Sequence, residues 1–185
     1  MGRIQDLARI YKRHIAAPWQ RTVTGAQRVI LAIYDKELEK KLRGQIEEFE
    51  QATKQANHPW QLIDASSWFS EWMAKVDYRE SFFEDPALLE MSLDTEFREY
   101  CCERLRSAFT AVDSDTVTGL LGIGSLFGFA RASDLIRAIE PDIQGRLLIF
   151  FPGTKDGNNY RLLDARDGWN YLAVSLSLNE AGKLQ

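Results

Sequence analysis

Arg28-Val29-Ile30-Leu31-Ala32-Ile33-Tyr34 is an almost unbroken apolar run, closed by Asp35. A strand with one wet face alternates apolar and polar residues, whereas a strand covered on both faces reads as this one does. Arg146-Leu-Leu-Ile-Phe-Phe151 is a second run of the same kind. Trp60-Gln-Leu-Ile-Asp-Ala65 and Thr116-Val-Thr-Gly-Leu-Leu-Gly-Ile123 supply two further strands.

Helical spacing fills the intervals. Ile4, Leu7, Ala8, Tyr11, His14 and Ile15 trace an amphipathic first helix with a basic outer face, closed by Pro18. Leu38, Leu42, Ile46, Phe49 and Ala52 or Thr53 predict a second helix running to the break at Asn57-His58-Pro59. After Ser66-Ser67, a candidate cap, Trp68, Phe69, Trp72, Met73 and Val76 lie on one helical stripe of core type. Asp85-Pro86 has the form of an N-cap followed by proline at the first helical position. Leu88, Leu89 and Met91 then predict a short helix, and Phe97, Cys101, Leu105 and Ala108 a longer one. Ser133 caps a helix carrying Leu135, Ile136 and Ile139.

Strands separated by helices imply right-handed crossovers. The expected fold is therefore α/β: a three-layer domain with a mostly parallel central sheet and helices on both faces. Tyr160–Leu163 and Trp169–Leu176, joined by Asp164-Ala-Arg-Asp-Gly168, predict a C-terminal antiparallel hairpin. One domain spans 1–185: an amphipathic basic helix over 1–17, a sheet-and-helix core over 28–178, and a frayed tail over 179–185.

The chain has 185 residues, 45% of them hydrophobic and 27% charged, which excludes a disordered tail and a disulfide-stapled miniprotein. Its apolar runs are too short to cross a bilayer and its start has no apolar signal core, so the cytoplasm is the expected location and no membrane is involved. Cys101 and Cys102 are adjacent on a helix and point about 100° apart, a poor geometry for a mutual disulfide. With only His14 and His58 besides, they offer little for zinc.

Open α/β sheets bind ligands beyond the carboxyl ends of their strands. Those ends should hold Asp35, Asp64, the Gly122–Gly128 loop and Pro152-Gly-Thr-Lys155. Gly122, Gly124 and Ser125 are the candidates for a cofactor loop. Gly119 and Gly124 have the phosphate-loop spacing, but Ser125-Leu126 stands where lysine and a hydroxyl residue are required. The dinucleotide fingerprint needs a third glycine where Phe127 sits. Ser125 lacks the flanking glycines of a nucleophile elbow, and no histidine follows it. A structural strand-to-helix turn is the simpler reading. Asp35 and Asp64 could share a cleft and hold magnesium through their carboxylates, or cap helices and face water. Lys155-Asp-Gly-Asn158 predicts a tight turn with Lys155 at its solvated tip, and His14 reads as a half-buried packing residue.

Net charge is −4, unevenly spread. Met1–Arg28 carries six basic residues against Asp6, while Asp77–Glu103 carries nine acids against Arg79 and Arg98. Two faces of unlike sign would steer partners, with Arg9, Lys12 and Arg13 on one and Glu96 and Glu99 on the other. The plainer alternative is two solvated helix faces. The basic helix could touch phosphates as a DNA-binding adaptor, although no helix-turn-helix, RNP-like or zinc signature accompanies it. No catalytic set emerges from the residues alone.

Gly124-Ser-Leu-Phe127, then a helix, Leu148-Ile-Phe-Phe-Pro-Gly153, Tyr160-Arg-Leu-Leu163 and Asn170-Tyr171 resemble the BrxB domain family, small components of bacteriophage exclusion (BREX) systems. Val29–Asp35 and Tyr78-Arg-Glu-Ser-Phe-Phe-Glu84 fit the same pattern, so the resemblance runs from Arg28 to Leu176. Two departures mark a divergent branch: Gly128 in place of a proline, and Leu172 in place of a second tyrosine. BREX systems mark host DNA by methylation and block replication of unmarked phage DNA. The resemblance implies a non-catalytic accessory or scaffold subunit with no cofactor. Its implied partner is another BREX subunit, foremost the alkaline-phosphatase-like PglZ, with DNA reached only through the complex. The alternative carried by the residues is a nucleotide- or metal-dependent phosphoryl-transfer protein using Asp35, Asp64 and the Gly122–Ser125 loop.

Overall fold

The computed structural model describes residues 2–166 and 168–178; the expected frayed tail, 179–185, lies outside them. In chain order the elements are α1 (Arg3–Ile15), β1 (Val29–Tyr34), α2 (Glu39–Arg43), α3 (Ile46–Gln55), β2 (Trp60–Asp64), α4 (Trp68–Lys75), α5 (Glu80–Glu84) and α6 (Pro86–Ser92). A π-helical turn (Leu93–Phe97) leads into α7 (Arg98–Thr110), followed by β3 (Val117–Leu121), a 3-10 turn (Ile123–Leu126) and α8 (Ala132–Ile139). The chain continues through β4 (Arg146–Asp156), β5 (Asn159–Leu162), β6 (Trp169–Asn170) and β7 (Val174–Leu176).

The sheet runs in the order β2-β3-β4-β1-β7, all parallel. The two wholly apolar runs pair with each other, Val29 opposite Leu147 through Ile33 opposite Phe151. Pleating sends their side chains alternately to two cores. Val29, Leu31, Ile33, Leu147, Ile149 and Phe151 pack against α4, α5, α7 and α8. Ile30, Ala32, Tyr34, Leu148 and Phe150 pack against α1, α2 and α3. Both strands are therefore buried on both faces, as their composition demands.

α1 shows why its sequence forms and docks a helix. Ile4, Leu7, Ala8, Tyr11 and Ile15 form a fully buried stripe, and each large member contributes on the order of 1.5–3 kcal/mol by leaving water. Tyr11 carries its hydroxyl into that core and donates it to Thr53 Oγ1 at 2.6 Å, while Thr53 donates on to the Phe49 carbonyl. On the opposite face, Trp68 and Phe97 are fully buried and Trp72 and Phe82 nearly so. The Trp68 stripe is core, as its spacing implies.

Several expectations need correction. The expected second helix breaks at Gly44 into α2 and α3 after a 3-10 turn at Lys36–Leu38. Ser133 lies inside α8, whose N-cap is Arg131, and Ser67 stands at the α4 N-cap without a capping hydrogen bond. Asp85 does cap α6, accepting the Ala87 amide at 3.1 Å. β4 runs on to Asp156 and forms a hairpin with β5, so the turn tip is Gly157–Asn158 and not Lys155. Lys155 faces Tyr160 in that ladder and donates to Ser175 Oγ at 2.6 Å.

The C-terminal hairpin is also shorter than expected. Trp169–Asn170 pairs antiparallel with β5, but Val174–Leu176 crosses to lie parallel to β1. The driving force is the open edge of β1: β7 satisfies its backbone groups and buries Leu176 in the α1 core. No helix among the described residues is long and apolar enough to cross a membrane.

Candidate functional site

Every connection of this sheet fixes where a crevice can form. β1 exits toward α2 and α3 on one face, while β4 exits to β5 and β6, whose Tyr160, Leu162 and Trp169 join the core of the other. Divergent exits from neighbouring strands open a crevice at their carboxyl ends. A cleft of about 450 Å³ lies there, lined by Tyr34, Asp35, Lys36, Thr154, Lys155 and Asp164 among others.

The polar groups of this cleft are largely engaged with one another. Lys36 pairs with Asp164, whose carboxylate holds the ammonium above its ordinary range. Asp35 accepts the Glu37 amide at 3.1 Å and caps the turn after β1, with the Arg3 guanidinium at 3.9 Å. Lys155 is occupied by Ser175.

Asp64 stands elsewhere. Two strands separate β2 from β1, a spacing of at least about 14 Å, so Asp35 and Asp64 do not share a cleft. The register also sets Asp64 opposite Leu121, level with the middle of β1 and short of Asp35. Asp64 Oδ1 accepts the Ser66 amide at 3.0 Å and the Ser66 hydroxyl, and Oδ2 accepts Arg43 Nη1 at 2.9 Å. Burial pushes this carboxyl up, but the guanidinium and the two Ser66 donors outweigh it and hold it below the ordinary aspartate range. Arg43 also donates to Glu39 at 2.8 Å and to Ser66 Oγ at 2.6 Å, and Glu39 accepts the Tyr34 hydroxyl. The network thus ties α2 to the ends of β1 and β2.

Gly122 completes it. Its φ is +81°, in the left-handed region, and a Cβ there would lie 2.5 Å from Asp64 Oδ1, 2.8 Å from the Ser66 nitrogen and closer still to Ser66 Oγ. The glycine lets the β3 exit pass beneath the Asp64–Ser66 turn. Beyond it the amides of Ser125 and Phe127 bond back to the Gly122 and Gly124 carbonyls, at 3.0 and 3.2 Å. A phosphate cradle needs such amides directed outward. Gly124 packs over Pro152 and Leu163, and the Ser125 side chain is exposed. The loop leads from β3 through the 3-10 turn to α8.

The charged segments lie on opposite faces of the sheet, since α1 belongs to one core and the π turn and α7 to the other. Arg9, Lys12 and Arg13 are exposed on α1, with Arg9 paired to Asp6. Across the molecule Glu96 accepts the Tyr78 hydroxyl and Glu99 pairs with Arg106 at 2.8 Å. His14 is half-buried and held below its ordinary pKa by burial and by nearby Arg146, as a packing residue would be. Cys101 and Cys102 are buried thiols, and burial pushes Cys101 up to about 12. Among the described residues no cluster of three or more His, Cys, Asp or Glu side chains could hold a metal.

Sequence reading located Asp35, Asp64 and Gly122, and Ser66 only as a candidate cap, but not Arg43, which bonds Asp64, Glu39, which bonds Arg43, or Asp164, which pairs with Lys36 in the cleft beside Asp35. Asp64-Ala-Ser66 carries a local signal, an aspartate whose side chain bonds the amide two residues on. Arg43, twenty-one residues away, carries none.

No curated protein and no solved structure matched the chain. Residues 60–176 match the family described as BREX protein BrxB. The matched span includes the Tyr78–Glu84 stretch, the glycine loop, β4 and the Tyr160–Leu163 strand, whereas β1 precedes it. It covers well over half of the chain, and the chain belongs to the BrxB family of BREX proteins.

Proposed function

We propose that this chain is a non-catalytic accessory subunit of a BREX phage-defence complex that acts by binding another subunit, PglZ foremost. The observation that carries the reading is the BrxB family match over residues 60–176. Two features of the fold support it. The polar residues at the carboxyl ends of the strands have structural employment: Asp35 caps a turn, Asp64 anchors Arg43 and Ser66, and Gly122 accommodates both. The basic and acidic segments occupy opposite faces, which gives two surfaces that complementary subunits can meet.

The test is affinity capture of the chain from its own host at low and high salt, with mass-spectrometric identification. The expected result is stoichiometric recovery of PglZ or another BREX subunit, weakened by salt because exposed charges are screened. Recovery of the bait alone at both salt concentrations would overturn it. Charge reversal at Arg9, Lys12 and Arg13, and separately at Glu96 and Glu99, assigns the face. If neither change alters binding or phage protection, those five residues are not the contact.

A further inference from the structure

Pro86–Phe97 leaves apolar surface uncovered. Leu89 and Leu93, four residues apart, pack against the core, which turns Leu88 and Met91 outward at 41% and 69% exposure. Tyr78 is 47% exposed, and Phe83, next to buried Phe82 on α5, is 77% exposed. Tyr78, Phe82, Leu88, Met91 and Thr95 line an open groove of about 470 Å³. An exposed apolar patch with a polar rim marks an interaction site. The π turn Leu93–Phe97 contributes Asp94, Thr95 and Glu96 to the groove; such turns are rare and concentrate at functional sites.

Asp94 and Glu96 line the groove, and the segment that builds it, Asp77–Glu96, contains seven carboxylates and one base, Arg79. Elsewhere Glu39, Asp64, Glu71, Glu99 and Asp142 are held by arginines. Among the described residues Asp77, Glu80, Glu84, Glu90 and Asp94 have no basic group within ion-pair distance.

We propose that this groove receives an amphipathic helix of a partner protein, one whose apolar stripe is flanked by lysines and arginines. The charge complementarity selects the basic flanks, and the exposed Tyr78, Leu88 and Met91 of the lining select the stripe. Helical walls with no sheet edge select a helix over an added strand. A second copy of this chain does not supply it, because the basic helix α1 already buries Ile4, Leu7 and Tyr11 in its own core. The inference deepens the accessory-subunit reading and rests on it.

The probe is a fluorescein-labelled peptide of about 18 residues, roughly 27 Å as a helix, with leucines at helical spacing and lysines elsewhere. Binding is read by fluorescence anisotropy, beside a leucine–glutamate peptide of the same pattern and a scrambled leucine–lysine peptide. Wild type should bind the patterned leucine–lysine helix and neither control. Leu88→Ser with Met91→Ser should weaken binding about ten-fold or more, the loss expected when anchoring side chains are truncated. Glu84→Lys, Glu90→Lys and Asp94→Lys together should do the same. Glu47→Lys with Glu48→Lys on α3 should cost far less. Equal binding by the Leu88/Met91 variant, or equal binding of the scrambled peptide, overturns the proposal. Circular dichroism of each variant checks that it is folded. Binding of purified PglZ to the same variants separates the two levels. If PglZ binds wild type and the groove variants alike, the groove is wrong and the accessory role stands. If no BREX subunit binds wild type, the accessory role fails while the peptide result still decides the groove.

Discussion

Replacing Gly122 by alanine should destabilise the protein for a reason unconnected with any ligand. Two terms contribute. A non-glycine residue in the left-handed region costs roughly 1–2 kcal/mol. The new Cβ also displaces the Asp64–Ser66 turn, whose hydrogen bonds each contribute about 0.5–1.5 kcal/mol. Gly128 provides the internal control, because its φ is +85° and nothing lies within 4 Å of a Cβ built there. Both substitutions also restrict the unfolded chain similarly, which cancels in the comparison. Gly122→Ala should therefore lose about 1–3 kcal/mol more than Gly128→Ala, from the turn contacts alone. At roughly 2–4 °C per kcal/mol for a chain of this size, that separates the two melting temperatures by about 2–12 °C. Urea unfolding with both variants gives the energies directly. A double-mutant cycle with Ser66→Ala should show coupling above about 0.5 kcal/mol. Equal losses at Gly122 and Gly128 would refute the packing role of Gly122 and return the loop to candidacy as a ligand cradle.

Other outcomes follow from the same geometry. Tyr11→Phe removes the buried donor to Thr53, and should cost about 0.5–1.5 kcal/mol in urea unfolding because Thr53 keeps its bond to the Phe49 carbonyl. Phe150→Ala, between Phe49 and the sheet, should cost about 3–5 kcal/mol as a core cavity. Folded Asp64 binds a proton less readily than unfolded Asp64, so its contribution to stability is complete above the usual aspartate value near 3.9 and is lost as pH falls through its lower folded value. Asp64→Asn should flatten that acid limb in a pH series of melting temperatures, and an unchanged limb would show the Arg43 pairing to be immaterial. With Cys101 raised to about 12 and both thiols buried, neither should react with a thiol reagent at neutral pH until urea is added.

β1 and β4 were legible because each is covered on both faces, which leaves Val29–Tyr34 and Leu147–Phe151 no polar alternation. Their order was not. Asp35 and Asp64 both end strands, yet only the jump of the chain from β1 to the far edge at β2 decides that two strands separate them. The Tyr160–Leu176 region misled for a similar reason. Its residues suit a hairpin, but the unpaired edge of β1 competes for Val174–Leu176 and wins. Lys155 was misplaced because Gly157, with a positive φ of 59°, takes the turn two residues later. The acidic charge of Asp77–Glu103 could be counted, whereas the exposure of Met91 and Leu88 depends on which side of α6 Leu89 and Leu93 commit to the core.

Reconstitution with PglZ tests the central claim most directly. The two proteins are mixed at micromolar concentration and resolved by size-exclusion chromatography with light scattering, at low and high salt. The expected result is one peak with the summed mass of a stoichiometric complex, dissociating as salt rises. Separate elution of the two proteins at low salt, repeated with every other BREX subunit of the same organism, would contradict the accessory-subunit role.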